Sequence, residues 1–108
     1  MTTTVRPFDI LYAPIVKLHL KAIEPKYYSL IEDNIKSHLR YEPDVETRNR
    51  KPLRHPVTIG AQREIRFGPE NRFRVFYRIN RQANCVHILS IGVKQGDQLS
   101  IGGQEVDL

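Results

Sequence analysis

Apolar and polar positions change period several times along the chain. In residues 7–12, Phe8 and Ile10 fall two apart on one face, which predicts a short first strand. Ala13-Pro14 then suits a helix start, because proline at the first helical position gives up no needed N–H. Across residues 15–23, Ile15, Val16, Leu18, Leu20, Ala22 and Ile23 leave only Lys17 and Lys21 on a polar side, so this helix is expected to be largely covered. Glu24-Pro25 breaks it and opens a second helix, in which Tyr28, Ile31, Ile35 and Leu39 recur at spacings of three and four until Pro43 ends it.

Residues 42–56 read as a loop rich in charge and proline, and beyond it the period becomes two. Strands are expected at about 62–67, 72–79 and 85–91, joined by the short turns Gly68-Pro69-Glu70-Asn71 and Asn80-Arg81-Gln82-Ala83-Asn84, and therefore antiparallel. Two last runs, 98–101 and 104–107, meet at Gly102-Gly103, a pair suited to a tight hairpin. The expected fold is a single α+β domain over residues 1–108, β-α-α-β-β-β with a C-terminal β-hairpin. An α-hairpin covers one face of the sheet, and the other is expected to stay open to solvent or a partner.

Composition narrows the classes. With 40% hydrophobic and 27% charged residues the chain has the balance of a globular domain. No apolar run approaches the roughly 18 residues that span a bilayer, and the N-terminus lacks a secretory h-region, so a cytoplasmic protein without membrane contact is expected. The single cysteine, Cys85, excludes an internal disulfide and a cysteine-clustered zinc site and suits a reducing compartment.

The net charge of +5 is unevenly spread. Residues 48–81 hold ten Lys and Arg against two Asp and Glu, while the flanking segments are slightly acidic. In the strand at 72–79, Phe73, Val75, Tyr77 and Ile79 share one face, while Arg72, Arg74, Phe76 and Arg78 share the other. Arg66 on the neighbouring strand joins the arginines, and the loop adds Arg48, Arg50, Lys51 and Arg54. Like charges on adjacent strands repel, so an anionic partner is expected to relieve them. Guanidinium groups bind phosphate bidentately, and the interleaved Phe76 is placed to stack a base, which together point to RNA.

Other chemistry is sparse. His19 lies in the middle of an apolar arc and reads as a hydrogen-bonded core histidine, and His38 as a helix-surface residue. His55, at the end of the basic loop, and His87, in the last core strand, are each either structural or a proton donor beside a phosphate. There is no metal-ligand spacing, no phosphate-binding glycine loop and no nucleophile elbow. Cys85 and the tyrosines Tyr27, Tyr28, Tyr41 and Tyr77 read as packing residues.

The order of elements, with the segments Glu64-Ile65-Arg66-Phe67, 73–79 and 86–94 in succession, resembles the RelE/ParE toxin superfamily of type II toxin–antitoxin systems over nearly the whole chain. Residues 45–53 and the ending 101–108 are similar to a RelE-like subgroup. The resemblance implies a cofactor-free, metal-independent endoribonuclease that cuts messenger RNA in the ribosome by attack of a 2′-hydroxyl on the adjacent phosphate. It assigns Arg66, Arg74 and Lys94 to phosphate contact and Glu64 to the general base used by some relatives. Where the best-known member carries a tyrosine, the alignment reaches Ser100. It also implies a separate acidic antitoxin. The same superfamily includes gyrase inhibitors that bind rather than cut, and a degenerate member would retain antitoxin binding alone.

Overall fold

The computed structural model describes residues 6–55 and 60–106. Strand β1 (Asp9–Tyr12) leads into helix α1 (Val16–Lys21), and a 3-10 turn at Pro25–Tyr27 leads into helix α2 (Tyr28–Leu39). There follow β2 (Arg50–Pro52), β3 (Arg63–Phe67), β4 (Phe73–Asn80), β5 (Cys85–Gln95), β6 (Gln98–Ile101) and β7 (Gln104–Val106). The strands form one sheet in the order β2-β3-β4-β5-β6-β7, antiparallel throughout, while β1 joins β5 in parallel. The α+β class and the antiparallel β3-β4-β5 pairing stand as expected. Pro56 and Asp107, ends of the expected loop and last strand, lie outside the described residues.

Both helices pack on one face. Val16, Ile23, Ile31, Ile35 and Leu39 meet Ile65, Phe67, Phe73, Val75, Tyr77, Val86, Ile88 and Ile91 in one apolar cluster. The Tyr77 hydroxyl, buried in this layer, donates to the Pro43 carbonyl at 2.6 Å, and burial pushes its pKa up to about 12. Helix α1 is shorter than its apolar pattern predicts and less covered. It buries Val16 and His19 but leaves Ile15 and Leu18 about half exposed, at 47% and 54%.

Three further features depart from the sequence expectation. The loop at 42–56 contains β2, held to β3 by the register Arg50↔Ile65, Lys51↔Glu64 and Pro52↔Arg63. Strand β5 runs to Gln95 and carries a bulge: Phe76 faces Ser90 but Tyr77 faces Ile88, so Leu89 is extra and both Ile88 and Ile91 point to the helices. Third, β5 changes partner along one edge, from β1 at 85–88 to β6 at 92–95. In the gap the Ile91 N–H donates to His19 Nδ1 at 3.2 Å, so His19 supplies the bond that a strand would. Burial holds the imidazole pKa below its ordinary value.

The face away from the helices is not open at its centre. Phe76, Ser90 and Leu99 are buried there. Gly60 approaches beside Arg78 and Leu89, since a Cβ at that position would lie 3.8 Å from both Arg78 Cδ and Leu89 Cδ1.

Candidate nucleic-acid interface

Directly opposed residues of an antiparallel pair project to the same side. The pairs Lys51↔Glu64, Glu64↔Phe76, Arg66↔Arg74, Phe76↔Ser90, Arg74↔Gly92 and Arg78↔His87 therefore place all of these on the face away from the helices. Lys94 lies two residues beyond Gly92 and so shares its face, and its N–H donates to the carbonyl of Arg72 at 2.6 Å, which brings the backbone of Arg72, in helical conformation at the end of the turn before β4, beside Lys94. Lys51, Arg66, Arg74, Arg78 and Lys94 thus share one face with a single carboxylate, Glu64, on β2–β5, and the backbone of Arg72 lies at its edge.

That carboxylate organises the centre. Arg66 donates to Glu64 Oε1 from both Nε and Nη2, each at 2.7 Å. Arg74 brings Nη1 to 3.8 Å from Oε2, and its Nε donates to the Asn71 carbonyl at 3.1 Å. The direct opposition of Arg66 and Arg74 would repel, and Glu64 bridges the two. Burial lowers the Arg74 pKa, Arg66 lowers it further, and Glu64 acts the other way, yet a guanidinium stays protonated. Relief of the arginine repulsion, expected from an external anion, is thus already partly supplied from within.

Backbone geometry fixes the group. The β3–β4 connection turns through Gly68, Glu70 and Asn71, all with positive φ. A Cβ on Gly68 would lie 2.5 Å from Phe73 Cδ2, so only glycine fits both the conformation and the space. The turn aims the Asn71 carbonyl at Arg74. On the other side Asn49 clamps the Arg66 backbone, donating from Nδ2 to the Arg66 carbonyl at 2.7 Å while its own carbonyl accepts the Arg66 N–H at 2.8 Å. Neither asparagine is signalled by sequence beyond its place in a turn or a polar loop.

The remaining expected site residues divide. Arg48, Arg54 and His55 are exposed on the loop and Lys51 is half-buried, while Arg78 and Lys94 are half-buried on the sheet and Arg72, expected in the strand, is half-buried at the end of the turn before β4. Arg50 is corrected: at 7% exposure it points to the helix side, donating to the His38 carbonyl at 2.7 Å and the Val45 carbonyl at 3.0 Å and pairing with Glu42. It caps the end of α2 and is withdrawn from any ligand. Arg74 is not the exposed residue that strand alternation implies, being 9% exposed, and Phe76, at 1%, offers no ring surface for a base to stack on.

The proton-moving candidates are scattered. His87 lies opposite Arg78, and its Nε2 is 3.4 Å from Cys85 Sγ. From Arg78 to Arg74 is four residues of β4, roughly 13 Å at a strand rise of about 3.3 Å, so His87 and Arg74 cannot serve one phosphate. Ser100 opposes Val93 and lines a hollow with His19, Ile91 and Gly102, on the helix side of the sheet. It cannot stand where a tyrosine beside Arg74 would. Among the described residues of β2–β5, Glu64 alone carries ionisable oxygen beside these cations.

The apolar hollow between β1, α1 and α2, about 390 Å³ and lined by Tyr12, Val16, Leu20, Tyr28, Ile31 and Ile35, lies on the helix side, remote from this chemistry. Among the described residues no three His, Cys, Asp or Glu side chains gather to hold a metal ion, and no helix is long and apolar enough to cross a membrane. Comparison of the chain with protein-family models, with curated proteins and with solved structures finds no match.

Proposed function

We propose that the chain is a RelE/ParE-type toxin that binds messenger RNA at the ribosome through the cationic sheet face, with a separate acidic antitoxin as its partner. The observation that carries this reading is the meeting of Arg66 and Arg74 at Glu64 with Lys94 on the same face, since these three cations are the positions to which the sequence resemblance assigns phosphate contact. Such a face favours a contiguous polyanion by counterion release as well as by direct pairing.

Cleavage on this reading proceeds by attack of a ribose 2′-oxygen on the adjacent phosphorus. The new 2′-O–P bond closes a cyclic phosphate, the P–O5′ bond breaks, Glu64 Oε2 takes the 2′-hydroxyl proton, and water returns one to the 5′-oxygen. Arg66 and Arg74 stabilise the charge that develops on the phosphoryl oxygens. A second reading, binding without cleavage, is favoured by one observation: Ser100 faces the helices and His87 stands too far along the sheet, so neither of these two is placed to protonate the leaving oxygen. A positioned general acid is worth about 10²–10⁴ in rate, so cleavage, where it occurs, is slow.

Induced expression followed by primer extension on cellular messages tests the first reading. Codon-phased 5′ ends on translated messages, lost on Arg66→Ala, are expected. Intact messages with arrested translation establish the second reading, and unaffected translation with accumulating DNA breaks overturns both.

A further inference from the structure

We propose that Glu64 is an internal anion occupying the place of the RNA phosphate, so that an incoming phosphate must displace it from Arg66. This deepens the RNA-binding reading of the same face and rests on it. The carboxylate receives both donors of one Arg66 edge on a single oxygen, at 2.7 Å each, which is the contact a phosphate oxygen would make with that guanidinium. It is held from a buried position, Glu64 being 6% exposed, so it does not leave for water unaided. Arg74 completes the occupied cradle from the other side at 3.8 Å.

The consequence is selective. Two guanidiniums and one carboxylate retain a net charge of one, and a lone monoanion entering them finds their best donors already used. A polynucleotide differs, because its neighbouring phosphates also reach Arg72 and Lys94. No ion pair among the described residues holds either of these. Contact there brings the central phosphate close enough to take Arg66 from Glu64. The displacement frees the carboxylate at the moment a ribose is bound beside it. Glu64 therefore acts as a specificity-determining residue, set against single anions and overcome by a chain of them.

Fluorescence anisotropy with a labelled 12-nucleotide oligouridylate at fixed low salt, with inorganic phosphate as competitor, tests this on the full chain. Glu64→Gln, which keeps size and removes charge, is expected to tighten oligouridylate binding by roughly tenfold or more, as one fewer anion competes, and to make binding more sensitive to inorganic phosphate. Unchanged or weaker binding by a folded Glu64→Gln protein overturns the proposal. Should that variant not fold, the Arg66 Nε–H resonance of the wild type gives the same answer. It should move on RNA addition as its acceptor changes from carboxylate to phosphate, and a resonance that stays put while RNA binds overturns the proposal. If neither protein binds RNA even at low salt, the RNA-binding reading itself fails, and this inference falls with it.

Discussion

On the helix side of β4, Phe73, Val75 and Tyr77 are closed off by other apolar side chains, and on the opposite side Arg74 and Phe76 are closed almost as tightly beside Glu64 and Arg66. Equal burial has unequal meaning. The apolar layer gains on the order of 25 cal/mol for each Å² removed from water, so its composition is explained by folding alone. The charged layer must offset the desolvation of its ions by pairing, and replacing such groups with apolar residues of similar size is often neutral or stabilising. Stability therefore accounts for the first face, while the second is the part of the sheet that folding alone explains least.

The largest effect expected from breaking this contrast lies on the helix side. Phe73→Ala removes a ring packed 5.0 Å from Tyr27 and 5.8 Å from Phe67, centroid to centroid. It should lower the unfolding free energy in a urea titration by about 3–5 kcal/mol. A loss under about 1 kcal/mol would mean that the layer is far looser than its burial implies.

On the charged side the expected loss is smaller and of another kind. Arg74→Ala leaves the Asn71 carbonyl without its donor and Glu64 with only Arg66, a loss of about 1–3 kcal/mol. Combined with Glu64→Gln, the cost should fall short of the sum of the two single changes, because the carboxylate no longer needs a second cation. Strict additivity in the same titrations would separate Arg74 from Glu64 energetically.

The third difference is one of pH. His19 accepts the Ile91 N–H and must be neutral to do so, and its pKa is held below the ordinary value by burial. The unfolded chain takes up this proton near pH 6.5, the folded chain only at lower pH, so stability falls as pH drops from about 6.5 through the folded value. His38, lowered by burial and then by Arg50, contributes with the same sign. The melting temperature should be lower at pH 5 than at pH 7.5, and the gap should narrow in His19→Gln. A flat profile would contradict the role given to His19.

These contrasts show which parts of the molecule a sequence makes legible. Strands β3 and β4 stand out because Ile65, Phe67, Phe73, Val75 and Tyr77 alternate cleanly, and the Gly102-Gly103 turn announces its hairpin. The β5 bulge does not, because an extra Leu89 within an apolar run leaves no local mark and is fixed by the register against β4. Strand β2 is hidden because Arg50-Lys51-Pro52 has no apolar alternation and pairs only through the tertiary approach of β3. The same lack of periodicity concealed that Arg50 turns toward α2 while Lys51 turns away. Alternation placed Arg66 and Arg74 on one face, whereas Arg72, expected in the strand, ends the turn before β4; whether that face is covered depends on residues distant in sequence, and so the burial of Arg74 and Phe76 was beyond reach.

The central claim, that RNA binds on the face carrying Glu64, Arg66, Arg74 and Lys94, with Arg72 at its edge, is tested most directly by the salt dependence of oligoribonucleotide binding. Arg72 and Lys94 are half-buried and joined through their backbones, a bond that alanine keeps, so the Arg72→Ala/Lys94→Ala double variant should fold normally. Each phosphate contact to a single strand contributes about 0.7 to the slope of log affinity against log salt. The double variant should therefore bind more weakly, with a slope reduced by about 1.4. A double variant with the affinity and slope of the wild type would contradict the account.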